Sequence, residues 1–309
     1  MNLRFKLCFV LLVSFIFSSC EKEIDLALIT GEDKIVVEGV IETDEYPYVT
    51  ITKSIAFFSK IDLSKVGYIK DAIITVEDLN SNKRITLKEY SIDTLIDGTI
   101  FSFVVYAPDF ADTNSINFKG QVNHSYKLSI NSGGKNYESI TKIPFPTPLD
   151  SLFLVPVPDS NDSLKICKGM YDDPDTLGNC VRIETLMQRK NKKSEPERFY
   201  TASTSVYDDD VINGIRFPVT IDLGYDKNRP FGPDENFLNI NYLRKGDTLT
   251  IKWSAIDKQT FRFWETLAFS KGSIGNPFAS PTKVQGNIPG AIGIWGGYSP
   301  TYQTIIDSL

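Results

Sequence analysis

One histidine and four cysteines limit the chemistry open to this 309-residue chain. Nucleophilic catalysis of the Ser-His-Asp or Cys-His kind needs an imidazole to carry the proton. His124 is the sole candidate, and its place before Ser125-Tyr126 reads as a loop or strand edge. Cys20 carries a different chemistry. Arg4 and Lys6 precede an apolar run from Leu7 to Phe17, and Phe17-Ser18-Ser19-Cys20 then resembles the lipobox cut before a diacylated cysteine. So short a run, ending in small residues, suits a cleaved signal rather than a membrane span. The expected mature chain starts at Cys20 and holds the membrane by acyl chains such as palmitate, at about 0.8 kcal/mol per buried CH2. Residues 1–19 are accordingly read as a lipoprotein signal peptide and 20–32 as an acidic tether.

Cys8 leaves with the signal, so Cys167 and Cys180 remain. They flank the turn-rich stretch Tyr171-Asp172-Asp173-Pro174-Asp175-Thr176. A hairpin centred between Asp173 and Pro174 would set the two positions opposite one another, which leaves a disulfide and two unlinked thiols both open. No second Cys/His pair completes a zinc site. Asp208, Asp210 and Asn213 supply hard oxygens of the kind calcium takes, but EF-hand spacing and a distal glutamate are missing. A polar hairpin turning at Asn213-Gly214 is the stronger expectation. Phosphate loops, nucleotide fingerprints and metalloprotease motifs do not occur. Paired carboxylates for glycoside cleavage have no spacing rule, so among 39 acids they discriminate nothing. The expectation is a chain without catalytic residues, metal or cofactor, and not an enzyme.

Removing residues 1–19 takes away two basic side chains and no acids, leaving 31 basic against 39 acidic, a net charge of −8. That balance argues against a nucleic-acid partner. The dense basic run, Arg189-Lys190-Asn191-Lys192-Lys193, reads as a solvated hairpin tip, and no Lys/Arg cluster along the sequence resembles a dock for anionic lipid.

Period-two, β-branched patterning sets in at Lys34. It predicts strands at Lys34–Glu42, Tyr48–Ile55, Ala72–Leu79, Arg84–Tyr90, Thr99–Tyr106, Ser125–Asn131 and Asn136–Ile143. Seven short strands without helical period predict an immunoglobulin-like β-sandwich over residues 33–146. Within it, Gly120 to Tyr126 has the look of a tyrosine corner, a phenol hydroxyl satisfying nearby backbone. The alternating prolines of Ile143-Pro144-Phe145-Pro146-Thr147-Pro148 mark the boundary. Residues 147–309 then form a second β-rich domain, with strands expected at Ser151–Val157, Ser163–Tyr171, Cys180–Arg189, Phe199–Tyr207, Ile215–Leu223, Phe237–Asn241 and Asp247–Ser254. One short α-helix is predicted near 257–270, capped by Asp257, with Phe261, Trp264, Leu267 and Ala268 at helical spacing and Gly272 as a stop. The fold class is thus mainly β.

The glycine-rich stretch Gly286 to Tyr298 admits two readings. One is a closing strand through Ala291–Trp295; the other is an exposed ligand or partner contact at Trp295 and Tyr298.

Several of these stretches together resemble the domain of unknown function 4249 family of Bacteroidota outer-membrane lipoproteins. They are the lipobox, Lys34-Ile35-Val36-Val37-Glu38-Gly39, Asp71-Ala72 before Ile73-Ile74-Thr75-Val76, Tyr126-Lys127-Leu128 and Ile143-Pro144. The second half adds Asp172-Asp173-Pro174, Asp208-Asp209-Asp210 before Asn213-Gly214, and Asn276-Pro277-Phe278 through Gly297-Tyr298. Cys180 departs from the aromatic expected there, which would make a disulfide particular to this chain. The opening Cys20-Glu21-Lys22-Glu23 resembles the acidic signal that sends such lipoproteins to the outer face of the outer membrane. The resemblance implies a gene beside, and a complex with, a TonB-dependent transporter. The expected function is a lipid-anchored accessory or ligand-binding subunit of that transporter; a structural or adhesive surface lipoprotein is the alternative.

Overall fold

A computed structural model describes residues 34–54, 67–96, 99–158, 160, 164–190, 198–202, 204–225, 241–273 and 282–308. The signal peptide, Cys20, the tether, most of the strand expected at Phe237–Asn241, and Asn276-Pro277-Phe278 lie outside the described residues.

The molecule is mainly β. In the first half, alternation of apolar and polar residues builds β1 (Ile35–Glu42), β2 (Tyr48–Lys53), β3 (Ile73–Asp78), β4 (Lys83–Ile96), β5 (Thr99–Pro108), β6 (Ser125–Ser132) and β7 (Lys135–Lys142). In β7, for example, Tyr137, Ser139 and Thr141 point inward while their neighbours face solvent. Turn chemistry agrees with the register. Gly133 and Gly134, both at positive φ, close the β6–β7 hairpin, as a tight turn of primed type requires. A single turn of helix, α1 (Thr113–Ile116), follows β5, its first amides satisfied by the Asp112 carboxylate.

The second half supplies β8 (Leu149–Pro156), β9 (Lys165–Asp172), β10 (Cys180–Gln188), β11 (Val206–Asp208), β12 (Arg216–Thr220), β13 (Thr248–Ile256), helix α2 (Lys258–Ser273) and β14 (Ile292–Ile306). Asp257 caps α2 as expected, accepting from Thr260 N at 2.7 Å. Its second oxygen takes Thr141 Oγ1 and Lys142 N, which ties the helix start to β7. The helix runs on through Gly272.

β14 organises the whole. Its first half, Ile292–Tyr298, pairs in parallel with β1, and its second half, Tyr298–Ile306, pairs antiparallel with β13. One strand therefore serves two sets of neighbours, β1-β2-β5-β4-β3-β6-β7 on one side and β13-β10-β11 on the other. β7 returns close to β14: a Cβ on Gly297 would stand 2.5 Å from Lys142 O. A three-stranded sheet, β12-β9-β8, packs against the second set.

Three apolar cores result. The first is built from β1 to β7 with Trp295 and Ile288, and the second joins β8, β9, β10 and β13 around Trp253. The third lies where the two sets meet, and gathers Val40, Cys180, Val206, Ile256, Phe261 and Tyr298 under Trp264. The proline-rich break falls between β7 and β8, while Asp33–Leu309 forms one compact unit.

Candidate functional site

Trp295 and Tyr298, the two residues nominated for ligand or partner contact, are 0% and 1% exposed. That expectation is corrected: both belong to the core. Trp295 lies across Gly39, where a Cβ would stand 2.7 Å from the indole, and its Nε1 donates to Tyr126 O at 2.9 Å. Among the described residues no β-strand pairs with its backbone on the outer side, and Asn287 fills that role. The Asn287 carboxamide accepts from Trp295 N at 2.9 Å and donates to Trp295 O at 2.8 Å, a one-residue substitute for a ladder. Gly293, at φ +125°, leaves no space for a side chain, since a Cβ would fall 1.8 Å from Val37 O. The glycine and aromatic residues of this stretch therefore close the fold. Tyr298 Oη accepts from Trp264 Nε1 at 2.9 Å, and burial pushes its phenol above the usual range.

Cys167 and Cys180 are both free and buried, so the disulfide reading is corrected as well. β9 and β10 are not hairpin partners. The turn-rich stretch between them carries the chain from one sheet to the other. Cys167 enters the second core and Cys180 the third. Burial pushes each thiol up to about 12, which keeps them protonated at neutral pH and poor nucleophiles.

The two acidic motifs, distant in sequence, interlock. Asp209 accepts from the backbone N–H groups of Gly178 and Asn179, while Asp173 accepts from Gly214 N at 3.0 Å. Each motif thus holds the other's turn. Gly214 sits at φ +68°, in the tight turn expected there. Asp208 and Asp210 both bind Lys258 Nζ at 2.8 Å, so the two carboxylates considered for calcium along with Asn213 hold an ammonium. Among the described residues, no group of three or more His, Cys, Asp or Glu side chains could hold a metal ion. A small cavity of about 80 Å3 remains between the motifs, lined by Tyr171, Tyr207, Phe217 and Trp253.

His124 is similarly committed. Its Nδ1 lies 2.9 Å from Asp78 Oδ2, and its ring stacks on Tyr126. Burial raises the Asp78 carboxyl, but hydrogen bonds from Ser81, His124 and Asn80 outweigh this and hold it below the ordinary range. Tyr126 Oη accepts from Gln121 N at 2.8 Å, the tyrosine corner anticipated from the sequence. The imidazole anchors a loop.

Two further features arise only in the assembled fold. Where β1 meets β13 and β10, Lys252 bridges Glu42 at 2.6 Å and Glu184 at 3.8 Å, and Arg182 lies 3.4 Å from Glu184. The Arg182 guanidinium also sits 3.8 Å from the centre of the Trp264 ring. The second feature is a projecting ribbon. β4 and β5 pair with each other from Leu87↔Pro108 to Ile96↔Thr99, yet β3 accompanies β4 only as far as Leu87 and β2 meets β5 only at Val49↔Tyr106. Over the outer part, Ser91–Phe103, β4 and β5 pair only with each other among the described residues; Ile92, Leu95, Ile100 and Phe103 are exposed there, the Phe103 ring also meeting Tyr68 edge-on. Leu95 and Ile100, directly paired, are 70% and 66% exposed. Its signal in the sequence is the apolar residues Ile92, Leu95, Ile100 and Phe103, whose spacing of three sets the pairs Ile92–Phe103 and Leu95–Ile100 on opposite faces of the ribbon. A two-stranded ribbon is marginal without further packing, and an uncovered apolar patch commonly marks an interaction site.

A family model described as Domain of unknown function (DUF4249) matches residues 21–304. The chain belongs to that family. No curated protein matches it.

Proposed function

We propose that the protein is a lipid-anchored outer-membrane lipoprotein, facing the cell exterior, and that it acts as a non-catalytic accessory or ligand-binding subunit of a TonB-dependent nutrient transporter. The observation that carries this reading is the Ser91–Phe103 ribbon, whose Ile92, Leu95, Ile100 and Phe103 offer apolar surface to a partner. The lipobox ending at Cys20 and the acidic Glu21-Lys22-Glu23 support the anchor and the outward face. The commitment of His124 to Asp78, and of both acidic motifs to backbone amides and Lys258, supports a binding role over a catalytic one.

The test is to capture tagged full-length protein from gently solubilised outer membrane and identify what accompanies it by mass spectrometry. A TonB-dependent transporter should appear in near-equal amount and be lost from the Ile92→Ser/Ile100→Ser variant. Exposed sites of this kind change stability by less than about 0.5 kcal/mol, so the variant stays folded. Recovery of the wild-type protein alone would overturn the transporter reading and favour a structural or adhesive lipoprotein.

A further inference from the structure

A groove of about 900 Å3 runs between the start of α2 and the segment leading into β14. Three segments far apart in sequence meet on it and contribute Lys34, Arg262 and Lys283, while no carboxylate lines it among the described residues. None of the three cations is ion-paired among the described residues, whereas Lys258, on the same helix as Arg262, is held by two aspartates. The Asp210 carboxyl, lowered first by its hydrogen bond to Lys258 and more weakly by Arg262, already belongs to Lys258. The remaining lining is largely the chain from Gly286 to Ile292, with little side-chain bulk to obstruct entry.

We infer that this groove docks the phosphate-bearing headgroups of the membrane that holds the protein's own lipid anchor. The assignment rests on the anchor reading above. Lys34 follows Cys20 by fourteen residues. Fourteen residues of chain reach at most about 50 Å. The anchor therefore keeps the groove within reach of the bilayer. Charge selects the orientation, since a mature chain with 31 basic against 39 acidic side chains, net −8, is repelled by an anionic surface except where an uncompensated basic face is turned toward it. Headgroup phosphates would sit between the three cations, and the anchored protein would lie with this end down instead of tumbling on its tether.

The test uses residues Glu21–Leu309, which contain the compact unit Asp33–Leu309 and carry no acyl chain. Binding is measured to phosphatidylcholine vesicles with and without phosphatidylglycerol. The protein should favour the anionic vesicles. The triple variant K34E/R262E/K283E should lose affinity on the order of a hundredfold, and the control K83E/K135E, reversed at turns elsewhere, should not. Equal binding to both vesicle types, or a triple variant that binds as the wild type does, would overturn the assignment. So would displacement by inorganic phosphate but not by chloride of equal ionic strength, which would make the groove a site for a small free anion. The assay involves no acylation, so its failure leaves the anchor standing. An unmodified Cys20 in protein from native membranes would remove the anchor while vesicle binding persists.

Discussion

Cys167 and Cys180 are close in sequence and lie on either side of a turn-rich stretch, yet each ends in a different apolar core. The thiols should therefore be silent in the native protein. In residues Glu21–Leu309, which hold these two cysteines alone, a thiol-specific reagent at neutral pH is expected to label neither, and to label both once denaturant is added, with the intact mass of unreacted protein corresponding to two free thiols. Labelling of the native protein, or a mass two hydrogens lighter, would contradict this. Composition showed two cysteines able to face each other, but the crossing from one sheet to another between Asp172 and Asn179 has no local signature. The same residue types that make a hairpin turn also make a crossover. Of the two readings of Trp295, the closing strand holds and the exposed contact fails, for a related reason. Its neighbours are glycines, which mark an exposed loop and a crowded backbone crossing equally well, and the atoms that crowd it belong to Gly39 and Tyr126.

Strands of ordinary length were readable from their alternation because each has one covered face. β14 was not, beyond its first few residues. Gly293 through Ser299 are buried without interruption, so the period-two pattern vanishes where the strand is most enclosed. Its parallel register with β1, Val37↔Gly293 and Gly39↔Trp295 among others, joins positions some 250 apart, and nothing local records such pairing. Asn287 adds a further device without precedent in the sequence, a side chain acting as strand. Truncating the residue at the centre of this arrangement should be costly. Trp295→Ala is expected to lower the free energy of unfolding by about 3–5 kcal/mol, read from urea or guanidinium titration, with both lobes melting together. A loss below about 1 kcal/mol would mean the indole is not the keystone of the first core.

At the level of the whole molecule, the two lobes are joined by β14, by the third core and by the Glu42–Lys252–Glu184 bridge, whose members come from β1, β13 and β10. Burial works against the Lys252 charge, but the two glutamates outweigh it and its pKa is raised. A raised folded pKa means the stabilisation is complete below the unfolded value of about 10.4 and is lost as pH climbs through the folded one. Comparing wild type with Lys252→Met from neutral pH to about pH 12 should show a constant gap in unfolding free energy up to about pH 10 that then closes. A gap independent of pH throughout would assign the effect to packing instead. The groove of Lys34, Arg262 and Lys283 belongs to this scale too. Three isolated cations become one basic face only after β1, α2 and the approach to β14 are assembled, which is why no run of basic residues announced it.

The pairing of β1 with β14 also bears on the export that the proposed lipid anchor would require. Polypeptides exported through a narrow channel emerge from the amino end and must stay unfolded until they are through. Here the earliest strand finds its hydrogen-bonded neighbour in the last one, and the first core lacks its central indole until that strand arrives. Contacts of such long sequence separation delay folding until the intervening chain is present. If the protein is exported as proposed, a molecule stalled halfway through translocation would be held open, still able to be threaded onward or degraded. The final strand works as a latch that shuts only on a chain delivered in full.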